Sequence, residues 1–218
     1  SKLSPADKVK VFYDAGFRAM EFNEYGELPV EEQKAVARQM EKLGMQMGVF
    51  APRVGSWEVP NLTGNILDPK SRIRDKEGVK RMVRSIMESA LEIGKRAGAK
   101  WFTVVIGAED PSLEYGYQFS NAVEHLKYAA DFLEKNDGPI MVLESLNIKN
   151  HPSLWLKRIP QAYALCKAVG SKHCKILDDL YHQQVTEGCL IPNIDEAWDE
   201  IAYFQVGDVP GRNEPTTG

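Results

Sequence analysis

Pro139-Ile-Met-Val-Leu-Glu144 and Cys174-Lys-Ile-Leu-Asp-Asp179 are short apolar runs that each finish on a carboxylate, and a third run, Ala202-Tyr-Phe-Gln-Val-Gly207, carries Gln205 near its end. Near-continuous apolar runs of this length predict parallel strands covered on both faces. A polar group placed where such a strand gives way to its loop lies, in a parallel barrel, on the functional rim. The three runs thus predict an architecture and the place within it where chemistry belongs.

The same grammar recurs outward from them. A helical pattern, a Gly or Asn-Asp-Gly stop and a short apolar run also precede or form Phe17 to Asn23, Met45 to Ala51 and Lys100 to Gly107. Helices are predicted over Asp7 to Ala15 and near 29–43, 72–97, 118–135, 153–168 and 193–201. Between Lys80 and Gly98, Val83, Ile86, Met87, Ala90, Leu91, Ile93 and Ala97 follow a helical stripe that would bury one face against a sheet. The expectation is a single domain over residues 1–218, a (β/α)8 TIM barrel of which this chain covers about six units, with one strand expected before Ser1 and one after Gly218. A six-stranded doubly wound sheet is the alternative. Bare edges of such a sheet would favour association into a homo-oligomer. Two loops that follow strands, Pro52 to Lys70 with Trp57, Asn61 and Asn65, and Ala108 to Gly116 with Glu109, Asp110 and Tyr115, are expected to wall the pocket mouth, or else to be surface insertions.

Composition narrows the function. With 43% hydrophobic and 27% charged residues and a formal net charge of -4, the chain reads as an ordinary soluble enzyme. It has no run of Lys or Arg longer than two, so no nucleic-acid partner is expected. No apolar run approaches a membrane span and no signal-peptide core follows Ser1, so the expected partner is a small molecule, without a membrane, in the cytoplasm; an earlier targeting segment is left open. Cys166, Cys174 and Cys189 share no metal-binding spacing and are expected as buried free thiols.

The chemistry of the strand ends favours a hard divalent cation. Glu144, Asp179 and the Gln205 amide offer three oxygen donors, as Mg2+ or Mn2+ prefers. Only His125, His151, His173 and His182 are available, too few to favour a multi-zinc site. The competing reading of Glu144 and Asp179 is that they cap the following helices or pair with Lys. His182, three residues beyond Asp179, would face the same pocket, and Arg212 sits in a Pro-Gly-Arg turn where its fork suits a carboxylate or substrate oxygens.

Glu144-Ser-Leu-Asn147, Asp179-Leu-Tyr-His182-Gln-Gln and Gln205-Val-Gly-Asp-Val-Pro-Gly-Arg212-Asn-Glu-Pro-Thr-Thr-Gly218 resemble, in order and spacing, the hydroxypyruvate isomerase branch of the xylose isomerase-like barrels. The likeness spans the chain, and the last string is its most specific part. The resemblance implies a TIM barrel holding one divalent ion, Mg2+ or Mn2+, through Glu144, Asp179 and Gln205, with a further Glu on an eighth strand. It implies that Glu144 carries a proton and that His182, Arg212 and Asn147 bind substrate. Ser145 departs from it, since the family usually has Pro there. The implied activity is an isomerase of small hydroxycarbonyl compounds or sugars acting through an enediolate. An epimerase on the same site, a metal-dependent lyase or dehydratase, and a non-catalytic sugar-binding relative are the alternatives.

Overall fold

All six predicted runs fold as strands, and every pairing between them is parallel. The structure, a computed structural model, describes residues 3–52 and 57–216. Strand β1 (Ala19–Met20) pairs with β2 (Gln46–Met47); beyond Gly48, β3 (Val49–Phe50) joins β4 (Trp101–Val104), β5 (Ile140–Glu144), β6 (Cys174–Asp179) and β7 (Ile201–Gln205). The order β3-β4-β5-β6-β7 runs monotonically. A doubly wound sheet reverses its order at a switch point, so this sheet is instead the arc of a parallel barrel.

Helices α1 (Pro5–Asp14), α2 (Val30–Leu43), α3 (Asn61–Gly64), α4 (Lys76–Ala97), α5 (Tyr115–Lys135), α6 (Ile159–Val169), α7 (Leu180–Thr186) and α8 (Leu190–Ala197) alternate with the strands. In α4, the Asp75 side chain accepts from the Gly78 N–H at the start, Gly98 takes a left-handed φ of 63° at the end, and Val79, Val83, Ile86, Met87, Ala90 and Ile93 are buried between. Strand residues alternate as a barrel requires. Phe50, Phe102, Met141, Leu143, Cys174 and Ile176 join the layer shared with the helices. Val49, Val142 and Leu177 pack with Trp101, Ile140 and Tyr203 on the opposite, interior face. The rings of Trp101 and Tyr203 meet edge to face at 5.5 Å and fill that interior.

One irregularity decides what the last strand presents. Between β6 and β7 the register passes from Ile176 opposite Ile201 to Leu177 opposite Tyr203, so Ala202 is an extra residue. The bulge reverses the parity of β7, turns Tyr203 inward and sets Gln205 opposite Asp179.

Several boundaries differ from expectation for local reasons. Residues 72–74 do not begin a helix because Arg74 bridges antiparallel to Ile66. Residues 153–158 lie along the loop after β4, with Leu154 bridging Ala108 and Trp155 N–H donating to the Gly107 carbonyl, and α6 starts only at Ile159 beside Pro160. Cys166 and Cys174 are buried, whereas Cys189 is exposed, which corrects the expectation for the third thiol.

The two long loops differ in kind. Residues 53–56 of the first lie outside the described residues. Its later part is folded by its own polar groups: Asn65 Oδ1 meets His125 Nε2 at 2.6 Å, Asn61 donates to the Ile66 carbonyl, and Thr63 donates to that of Ala108. The second is clamped by Asp110, which pairs with Arg74 at 2.7 Å, by Glu109 against Lys157, and by Tyr115 stacked on Trp155. Among the described residues no helix is long and apolar enough to cross a membrane.

Candidate active site

The C-terminal ends of the strands open into a cavity of about 460 Å3 whose lining includes Trp57, Thr103, Glu144, His151, His182 and Arg212. A neighbouring hollow of about 430 Å3 shares Gln205 and Arg212 with it and adds Glu21 and Asp179. A larger depression of about 630 Å3, lined by Lys34, Arg38 and Lys95 among others, lies at the opposite end, where Gln46 and Trp101 begin their strands. Barrel chemistry belongs at the C-terminal end, and the carboxylates are there.

Strand parity selects the groups that face the cavity. Glu144 ends β5 on the interior side with Val142; Asp179 ends β6 on the side of Leu177, while Asp178 faces the helices. Asp179 divides its two oxygens. Oδ1 accepts from the N–H groups of Tyr181 and His182 and caps α7; Oδ2 accepts from Arg212 Nη2 at 2.7 Å and faces the site. The capping reading thus holds for Oδ1, while Oδ2 pairs with Arg212.

His182 is held in one tautomer. Its Nδ1 accepts from the backbone N–H of Asn147 at 3.1 Å, and the Asn147 amide Nδ2 lies 2.7 Å from the same atom. The ring proton consequently sits on Nε2, which lies 3.8 Å from Glu144 Oε1 and 3.7 Å from Asp179 Oδ2. Burial holds the imidazole down at about 4, with Asp179 opposing, so it is neutral near pH 7. Asn147 is fully buried, and its Oδ1 accepts from the N–H groups of Lys149 and Asn150, which fixes the loop that carries it.

Burial pushes the Glu144 carboxyl up to about 7, with Asp179 and Glu21 adding to the effect and Arg212 opposing it. Arg212 stands in left-handed backbone, φ 54°, with its N–H bonded to the Asp208 carbonyl at 2.7 Å and its guanidinium over the Tyr181 ring. That conformation costs about 1 kcal/mol for a residue with a side chain, and the turn holds the fork against Asp179. Gln205 donates through Nε2 to Glu21 Oε2 at 2.9 Å, while its Oε1 is buried and has no hydrogen-bond partner among the described residues.

This donor set fits a hard divalent cation. Glu144, Asp179 and His182 each bring an atom to within 4.8 Å of the others, and the unpartnered Gln205 oxygen stands on the next strand. The sequence reading passed over His151, whose ring lies 5.8 Å from that of His182 and 6.5 Å from Trp57, and Thr103, whose buried hydroxyl has no partner among the described residues. Thr103 carries no sequence signal beyond its inward parity. His151 lies only seven residues beyond Glu144, in the same strand-end loop.

Residues 9–218 match the family described as xylose isomerase-like TIM barrel. Hydroxypyruvate isomerase of Escherichia coli is 31% identical over 62% of this chain and 52% of its own length. 2-Oxo-tetronate isomerase of Cupriavidus necator is 26% identical over 93% of this chain and 73% of its own length. The match thus spans about half the first relative and about three-quarters of the second. Among solved structures, an AP endonuclease, family 2, from Brucella melitensis superposes with a TM-score of 0.81 at 22% identity, over 98% of this chain and 77% of its own.

Proposed function

The chain belongs to the xylose isomerase-like TIM barrel family, and from that premise we propose that it is a divalent-cation-dependent isomerase interconverting small hydroxycarbonyl compounds or sugars through an enediolate. The observation that carries this reading is the convergence of Glu144 and Asp179 carboxylate atoms within 4.8 Å of each other, beside the buried oxygen of Gln205, which has no partner among the described residues. Glu144, Asp179 and the Gln205 oxygen would hold Mg2+ or Mn2+. Such an ion supplies Lewis acidity that stabilises charge developing on substrate oxygens, worth several kcal/mol.

The chain's own groups account for the rest. Glu144, as the carboxylate, accepts the carbon-bound proton beside the carbonyl; the C–H electron pair becomes the C=C of the enediolate. Glu144 then returns a proton to the former carbonyl carbon while the hydroxyl proton passes to the other oxygen, so no electrons leave the substrate. His182 Nε2–H donates to a substrate oxygen and, being protonated, is no cation ligand. On this reading Asn147, buried against His182, acts on substrate through it as a positioning residue. Arg212 keeps donors free of Asp179 for a substrate carboxylate or hydroxyl.

Solvent-deuterium exchange followed by NMR, with Mn2+ or Mg2+ and a panel of hydroxypyruvate and short sugars, tests this. Exchange into a substrate C–H position that needs both cation and Glu144 is expected, and the product separates isomerase from epimerase. Ligand binding without exchange would leave a lyase or a non-catalytic sugar binder.

A further inference from the structure

We propose that Glu21 and Tyr203 are positioning residues that fix the Gln205 amide with its oxygen turned into the cation site, an inference that rests on the cation-dependent reading above. A carboxamide can rotate by half a turn and exchange donor for acceptor with almost no change in shape, so its neighbours decide which atom faces a ligand. Glu21 lies just past β1, and a carboxylate offers only acceptors. Its Oε2 receives Gln205 Nε2 at 2.9 Å. Turning the amide over would set oxygen against oxygen there and aim the NH2 group at Glu144 and Asp179.

Glu21 is itself held. Tyr203, on the same inward face of β7 two residues before Gln205, brings its hydroxyl up to Gly48 beside the Glu21 side chain. Gly48 makes the arrangement fit: a Cβ there would run into the Tyr203 hydroxyl and stand 3.2 Å from Glu21 Cγ. The outcome is an acceptor, Gln205 Oε1, that is buried and unpartnered among the described residues. Leaving such a group unsatisfied is unfavourable, and a cation would relieve it.

The test is Mn2+ binding to the full chain, read by electron paramagnetic resonance and by water-proton relaxation. The variants are Glu21→Ala, Gln205→Ala, their double, and Tyr203→Phe. Loss of an outer carboxylate of this kind weakens affinity by about ten- to a hundredfold. Glu21→Ala should lose affinity on that scale and gain relaxivity equal to one more Mn2+-bound water, as Gln205→Ala does. In the Gln205→Ala background, Glu21→Ala should have no further effect. Tyr203→Phe should lose a few-fold, and it keeps the proposal testable if Glu21→Ala fails to fold. Wild-type Mn2+ affinity with an unchanged Glu21→Ala, or losses that simply add, would overturn the positioning role alone. No Mn2+ binding by the wild type would overturn the cation-dependent reading and this inference with it.

Discussion

Burial makes the ionised form of Glu144 unfavourable to the fold. Its carboxyl is raised from 4.5 to about 7, so between those values the folded chain holds a proton that the unfolded chain has released. Stability from this group is present at low pH and lost as pH rises through about 7, a change on the order of 3 kcal/mol. In cation-free protein, Glu144→Gln should therefore raise the melting temperature at pH 8 and barely alter it at pH 4, as thermal scans with a chelator would read. The same variant should cut substrate exchange by at least about a hundredfold. A second prediction concerns His182. Replacing Asn147 by Leu removes the side-chain hydrogen bond to Nδ1 but leaves the backbone donor. Turnover should fall by about tenfold, the loss associated with an orienting partner, while imidazole nitrogen shifts should still report the Nε2–H tautomer that the backbone donor fixes. That Glu144 and Asp179 face one site was legible residue by residue because both stand at strand ends. What was hidden is that Asp179 serves two masters, since only the backbone geometry assigns Oδ1 to a helix cap and Oδ2 to Arg212.

At the level of elements, the six runs and the α4 stripe were readable because alternation and periodicity are local properties of a chain. The bulge at Ala202 was not, because register exists only between strands. Without it, Phe204 rather than Gln205 would stand opposite Asp179. Deleting Ala202 should consequently abolish high-affinity Mn2+ binding while much of the β/α framework survives, measurable by titration alongside circular dichroism. The loop after β4 left two readings open, a pocket wall or a surface insertion, and its acidic residues turn out to be held by distant partners: Asp110 by Arg74 and Glu109 by Lys157. Sequence reports that a carboxylate is present; whether it is already paired depends on partners 36 and 48 residues away.

For the whole molecule, a cation gathered from β5, β6 and β7 would bind the folded chain and not the unfolded one. At a hundred times its dissociation constant it should add about 2.7 kcal/mol of stability, which for a domain of this size is about 5–10 °C in melting temperature. Scanning calorimetry with and without Mn2+ would check this, and Glu144→Gln should lose the shift. The contact between Glu21 and Gln205 gives the effect a temporal side. It joins groups 184 residues apart, so closing it sacrifices the chain entropy of a very long loop. Such contacts belong late on a folding route, after neighbouring β/α units have already paired. The Gln205 amide would then swivel freely through the rate-limiting step and acquire its orientation only on the native side of it. A cation that needs that orientation should slow unfolding while leaving the folding rate unchanged, turning the site into a clock for how long the native barrel persists.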